Sequence, residues 1–397
     1  MKKLIIICHF VLLFWVDTVA AQKAKTVCVN MIVKNERDVI CRCLASVKPL
    51  IDYWVIVDTG SNDGTQKIIK DFMKDIPGEL HERPWVNFEH NRNQALELAK
   101  GKADYVLFID ADEVFEVTNP NVMENIDKDV YYIITSYSGL KYPRTQLVNN
   151  HLDWKWVGVL HEAVVCPDAK TYGTLEGITN IVRTDGARSK DPKKFHKDAE
   201  ILEAALKKDP TNRRYQFYLA QSYMDAGEDE LAIQHYHKRV AMGGWDQEIF
   251  WSLLQIARLQ EAVNRPKSVI INGFTTAYMY RKTRAEPLYY LAEFHRKNNN
   301  YEEGYRITKR ALFMPAPDDI LFLYDWIYDY GMLLEFSICA YWVQEYEEAK
   351  LASEWLLLKK NLPQNVRECV ERNLKFINER LAETATNPVL ILGACES

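Results

Sequence analysis

Two carboxylates separated by one small residue, Asp110-Ala111-Asp112, follow an apolar run in the segment VLFIDADE, Val106 to Glu113. Delivered to a strand end at this spacing, they repel one another unless a cation or a polar ligand lies between them. Oxygen ligands suit a hard divalent cation, Mn²⁺ or Mg²⁺, and its natural companion is the two phosphates of a nucleotide sugar. The alternative is a solvated turn after a buried strand. Glu113 reads as a supporting or capping residue rather than a ligand. A further carboxylate, Asp58, lies in VIVDTGSNDGT, Val55 to Thr65, where Gly60 and Gly64 permit a tight turn into the next helix. There it can accept hydrogen bonds from a uracil or ribose, or simply serve the turn. A third apolar run ends in Lys34-Asn35-Glu36.

These residues need elements to hold them. The runs Val27 to Val33, Trp54 to Val57, Tyr105 to Ile109 and Val130 to Thr135 are continuously apolar, as in strands of a parallel sheet covered on both faces. Between them, Ile40, Cys43, Leu44 and Val47 share one helical face, as do Ile68, Ile69, Phe72 and Met73, and then Ala95, Leu96, Leu98 and Ala99. The pattern predicts βαβ units with a mainly parallel, Rossmann-like sheet. In such sheets ligands bind at the carboxyl ends of the strands, where Asn35, Glu36, Asp58, Asp110 and Asp112 all fall.

After Asp191 the strand signal gives way to long amphipathic helices. Tyr218-Leu219-Ala220 with Tyr223, Gly227 and Ala232 returns as Tyr290-Leu291-Ala292 with His295, Asn299 and Gly304, and more loosely around Tyr346 to Ala349. Pro210 to Gly243 has about the 34-residue length of a tetratricopeptide repeat, so an all-α, TPR-like helical domain is expected. Its aromatics Tyr215, Tyr218, Tyr223 and Trp245 read either as a concave surface that selects the acceptor, towards which the reading leans, or as stacking core. The polar stretch Lys190 to Lys197, broken by Pro192, marks the domain boundary. The expected organisation is a signal peptide (1–21), an α/β domain (22–190), a helical domain (191–385) and a tail (386–397).

A chain of 397 residues, 48% hydrophobic and with a net charge of -5, suffices for two cores and lacks the basic stripe that a nucleic-acid partner requires. Lys2 and Lys3, the apolar run Leu4 to Val16 and the small residues Val19 to Ala21 form a signal-peptide pattern. Its apolar run is shorter than the ~20 residues that span a bilayer, which favours cleavage over a retained anchor, no stable transmembrane segment, and a secreted or secretory-lumen location (the periplasm if bacterial). The 8 cysteines, one of them in the presumed signal, are scattered too widely for a disulfide framework and read as buried thiols.

These segments resemble the family 2 glycosyltransferases of the GT-A fold, especially the subgroup whose catalytic domain precedes tetratricopeptide-like repeats. The resemblance runs through Asn35-Glu36, Asp58, Trp85, Arg92 and Asn93 in PWVNFEHNRNQAL, Asp110-Ala111-Asp112 as a DXD-like motif, and WKWVGVLHE, Trp154 to Glu162. It implies a metal-dependent transfer from a nucleotide-diphosphate sugar to a glycan, peptide or protein hydroxyl, with inversion. It also implies that Asn35, Glu36, Asp58, Arg92 and Asp110 bind the nucleotide sugar and that Asp112 and His161 hold the metal. Glu162 is the candidate catalytic base, or else one half of a simple ion pair, and Trp154 and Trp156 either stack on a sugar or belong to the core. The chain lacks the Gln-x-x-Arg-Trp segment of processive synthases and the Glu-Asp pair that supplies the base in many relatives. A protein that binds a nucleotide sugar or a partner without turnover is the alternative, and the intact Asp110 and Asp112 favour the enzyme.

Overall fold

The computed structural model describes residues 25–386; the expected signal peptide and almost all of the expected tail lie outside them. Strands and helices alternate first: β1 (Val27–Val33), α1 (Ile40–Val47), β2 (Tyr53–Asp58), α2 (Thr65–Phe72), β3 (Gly78–Glu82), α3 (Phe88–Ala99) and β4 (Tyr105–Phe108). The strands β5 (Glu113–Val117), β6 (Val130–Tyr137), β7 (Leu140–Asn149), β8 (Lys155–Val157), β9 (Ala163–Val165) and β10 (Tyr172–Val182) complete the α/β part. The apolar faces read from the sequence are the ones that pack: Ile40, Cys43, Leu44 and Val47 of α1 are buried against the sheet, as are Ile69 and Met73, and Ala95, Leu96 and Ala99. Cys41, on the other side of α1, is exposed, which corrects the expectation that every thiol is buried.

The main sheet has eight strands in the order β3-β2-β1-β4-β7-β6-β10-β5. Its first half is parallel, as is the β6–β10 pair, while β7 runs antiparallel to both β4 and β6, and β5 antiparallel to β10, so the sheet is mixed with parallel pairings in the majority. The cause is local. Ser138 and Gly139 both have positive φ, 48° and 80°, as a two-residue hairpin turn requires, and a hairpin makes its strands antiparallel. β7 carries Lys141, Pro143, Arg144 and Gln146, so no apolar run announces it.

Ten helices follow: α4 (Lys194–Lys208), α5 (Arg213–Asp225), α6 (Asp229–Ala241), α7 (Asp246–Ala262), α8 (Lys267–Tyr280), α9 (Glu286–Lys297), α10 (Tyr301–Ala311), α11 (Met332–Trp342), α12 (Tyr346–Leu358) and α13 (Gln364–Thr386). The three stretches of repeating sequence coincide with the pairs α5/α6 and α9/α10 and, for Tyr346 to Ala349, with the start of α12 in the pair α11/α12. Phe217, Tyr236, Phe250, Trp251 and Phe274 are interleaved in one core between successive helices.

The two parts meet where the β6–β7 hairpin enters the helical array. Leu140 packs against the helical core, Lys141 bridges to Leu323 and pairs with Asp325, and the Tyr142 ring meets Phe322 at 5.5 Å. The segment around Phe322 is itself pinned in the array. Gln247 Oε1 accepts from the amides of Ile320 and Leu321 at 3.0 and 2.9 Å, and the buried Arg284 donates to the carbonyls of Leu321 and Phe322. The aromatics expected to select an acceptor are largely used within the chain. The Tyr215 hydroxyl accepts from the Val159 amide, Tyr218 stacks on His161 at 3.9 Å, and Tyr223 donates to Glu203. Trp245 alone of the four stays open, at 40% exposure. The recognition reading is corrected accordingly, because these rings join the domains.

Phe322 takes a left-handed backbone (φ 41°), a conformation costly for a bulky residue, and its ring lies 4.9 Å from Trp251. The packing must outweigh that strain. Phe322→Ala should therefore lower stability by about 3 kcal/mol in urea unfolding. Phe322→Gly should recover about 1 kcal/mol of that loss because glycine adopts this φ freely. Unchanged stability in both variants would show that the wedge does not hold the parts together.

Candidate active site

The carboxyl ends of β2, β1 and β4 lie side by side, and the loops that leave them are laced together. Asn35 (φ 58°) donates its amide to Ser61 Oγ at 2.8 Å and accepts from the Asn62 amide through its side-chain oxygen at 2.9 Å. The Glu36 and Arg37 amides donate to Thr65 Oγ1 and Asp63. The Asn35 side chain thus shapes the loop. Asp58, 1% exposed, accepts through Oδ1 from the amides of Gly60 and Ser61 and from Gln66. Its Oδ2 is buried and has no partner. One oxygen of Asp58 thus serves the turn, while the other does not take part in it.

Asp110 stands in a chain of alternating charge. Its Oδ1 accepts from Arg92 at 2.7 Å and its Oδ2 from Arg144 at 3.0 Å; Arg92 also pairs with Glu162, and Arg144 with Glu113. Glu113 Oε2 accepts in turn from the Asp110 amide at 3.0 Å. Burial alone would raise the Asp110 pKa, but the two guanidiniums hold it below the usual carboxylate range. Glu113 is pushed up by its own burial, against the pull of Arg144. The Arg92 guanidinium lies 5.0 Å from the centre of the Trp156 ring, and Asn93 exchanges two hydrogen bonds with the Trp156 backbone. Trp154 and Trp156 are both buried, so the sugar-platform reading gives way to the core reading.

The sequence missed Arg144. Its signal was a lone arginine inside a strand, next to Pro143. Glu162 is the ion-pair half that the sequence offered as the alternative to a base, and Arg92 is buried between two carboxylates rather than turned to a nucleotide.

Asp112 differs from its neighbour. Among the described residues it makes no ion pair, and its pKa is pushed up to about 6 by burial and then by the negative charges of Asp110 and Glu113. Glu36, whose carboxylate accepts from the Ala187 amide at 3.1 Å, is pushed up to about 7 by burial and, in part, by Asp112. Two carboxylates lacking enough positive charge are what a divalent cation relieves. Over them folds the segment 183–190: Gly186 sits so close that a Cβ there would lie 2.8 Å from Asp112 Oδ2, and Arg42 grips Asp185 through two 2.7 Å bonds.

His161 (φ 50°) is crowded by protein yet still open to solvent, which places it in a cleft rather than in the core. Loss of water around the ring, then the cations Arg214, Arg188 and Lys194, hold its pKa down at about 3, so the imidazole is neutral. Among the described residues no three His, Cys, Asp or Glu side chains form a metal-ligand group, and His161 and Asp112 are not joined in one. A cation at Asp112 would take its remaining oxygens from a ligand's phosphates and water, as Mg²⁺ commonly does.

Residues 28–156 match the family model for glycosyl transferase family 2. The chain is similar to the SPbeta prophage-derived glycosyltransferase SunS of Bacillus subtilis, 26% identical over 233 residues, which cover 54% of this chain and 53% of that protein. It is also similar to a TPR repeat-containing protein of Synechococcus elongatus, 40% identical over 84 residues, 21% of this chain and 19% of that one. The chain thus spans about half the length, or less, of these curated relatives. Among solved structures, a tetratricopeptide repeat protein from Parabacteroides merdae covers 49% of this chain and 69% of its own at 15% identity, with a TM-score of 0.36.

Removing one partner of a buried ion pair leaves an uncompensated charge, at a cost of about 3–5 kcal/mol. Arg144→Met should therefore destabilise the chain by that amount at neutral pH. The stabilisation from the depressed Asp110 pKa is complete above the ordinary carboxylate value and is lost as pH falls through the folded one, so the variant's acid unfolding should begin at higher pH. Adding Glu113→Gln should restore part of the loss. Urea titrations across pH that match the parent curve would show Arg144 to be dispensable.

Proposed function

We propose that the chain transfers a sugar from a nucleotide-diphosphate sugar to an acceptor hydroxyl of a glycan, peptide or protein. The observation that carries this reading is the orphaned, buried Oδ2 of Asp58, two strands across from the unpaired Asp112, both at carboxyl ends of parallel strands. Asp58 would accept from the nucleoside, and Asp112, with Glu36 beside it, would hold Mn²⁺ or Mg²⁺. That ion, when bound, supplies positive charge for the leaving diphosphate. Asp110 contributes by fixing the strand end that carries Asp112, and inversion at the anomeric carbon is what the family resemblance implies. The N-terminal residues support work in a secretory lumen, outside the cell, or in a periplasm. Among the described residues no helix is long and apolar enough to cross a membrane.

The competing reading, binding without turnover, draws on the pairing of Arg92 with both Asp110 and Glu162, which commits the candidate base to an ion pair. Release of nucleoside diphosphate from a panel of sugar nucleotides, with and without Mn²⁺, separates the two. Asp112→Asn should abolish metal-stimulated release while circular dichroism stays native; full activity would remove Asp112 from the site. Asp58→Ala should weaken nucleoside diphosphate binding by about 1–3 kcal/mol, the cost of leaving a buried donor unpaired. Calorimetry showing unchanged affinity would exclude Asp58 as the nucleoside contact.

A further inference from the structure

The cation that the resemblance offered for the nucleotide, Arg92, is spent, and so is its neighbour Arg144. Arg92 and Arg144 are locked to Asp110, Glu162 and Glu113. Across the cleft, the start of the helical part shows the opposite condition. Lys194, half-buried at the first position of α4, has no carboxylate within ion-pair distance among the described residues; its Nζ lies 4.9 Å from the centre of the Phe195 ring. Arg214 on α5 also lacks an acidic partner and donates to the His161 carbonyl at 2.6 Å. Arg188, in the same short segment whose Gly186 closes over Asp112, pairs with Asp198 of α4 and so brings the start of that helix beside Asp112; the Lys194 charge bears on Asp198, Asp112 and Asp225.

The placement runs against the local rule for helices. A helix N-terminus carries partial positive charge and favours acidic side chains, yet the first turn of α4 has none, its N-cap makes no side-chain hydrogen bond, and Lys193 and Lys194 occupy it. Burial and the neighbouring Arg188 depress the Lys194 pKa, a cost that an anion would remove. Such violations mark functional positions more often than errors of folding.

We infer that Lys194 and Arg214, supplied by the helical part, bind the diphosphate of the sugar nucleotide opposite Asp112, so that the donor site is built by both domains. The assignment rests on the proposed function and adds a role for the repeats within it. The donor's diphosphate would meet the Lys194 ammonium on the side facing Asp112, which would hold a divalent cation, and the helical part is required for donor binding as well as for the fold.

The test is calorimetry of the full chain with inorganic pyrophosphate, and with UDP and GDP, in the presence of Mn²⁺. Lys194→Met keeps the alkyl stem and removes the charge. Pyrophosphate affinity should fall about tenfold or more, as expected for a lost hydrogen bond between charged groups, and Lys194→Arg should stay near the parent value. Because Lys194 makes no ion pair, the Tm of Lys194→Met should be unchanged or raised. Arg214→Gln, which keeps a donor for the His161 carbonyl, should also weaken pyrophosphate binding. If the parent chain binds neither pyrophosphate nor either nucleotide, the sugar-nucleotide reading itself falls. If the parent binds and Lys194→Met binds equally well, this assignment alone is overturned.

Discussion

The rest of the site depends on how Asp110 is neutralised. A carboxylate half-buried at the end of a central strand is costly unless its charge is met, and here two guanidiniums meet it, each held in turn by a further carboxylate. The series Glu162, Arg92, Asp110, Arg144, Glu113 draws together the loop after β8, helix α3, the end of β4, strand β7 and the start of β5. Segments as far apart in sequence as α3 and the loop after β8 are thus tied to one acidic side chain. The arrangement also separates the two aspartates of the motif. Asp110 is consumed in building the strand end, while Asp112, two residues on and beyond Ala111, is left with its negative charge uncompensated.

A second constraint joins the parts. The groove of a helical array is usually thought of as a place for a partner, but here the chain lays its own Ile320–Asp325 segment and its own β-hairpin there. The docking places the first turn of α4 and the side of α5 over the cleft that holds His161. Packing of the domains and charge in the cleft are consequences of the same contacts.

How much of this was legible beforehand depended on how local the signal was. β1, β2 and β4 are covered on both faces and so appear as unbroken apolar runs, whereas β6 is fully buried on one face only; the faces of α1 and α3 follow from spacing alone. Asp58, Asp110 and Asp112 were visible because strand ends in such sheets carry ligands. β7 was not, because its polar residues serve contacts across the chain: Lys141 to Asp325, and Arg144 to Asp110 and Glu113. The same reason hid the true environments of Arg92, Glu162 and Tyr218. Each was correctly marked as unusual, but its partner lies 18 or more residues away, at a separation that periodicity does not reach. The mixed sheet escaped for a related reason, since one two-residue turn decides the direction of β7.

The β6–β7 hairpin has a consequence for how such a chain can change over generations. Tyr142 and Arg144 lie on the same face of β7, two residues apart, the first against Phe322 and the second against Asp110. A strand alternates its faces, so inserting or deleting a single residue between them would turn one side chain away from its partner while leaving composition untouched. Substitutions in this strand can be graded, but changes of length cannot. Lineages that lengthen or shorten the protein are therefore expected to do so elsewhere, such as in the turns between helix pairs, and to leave the spacing of this hairpin alone.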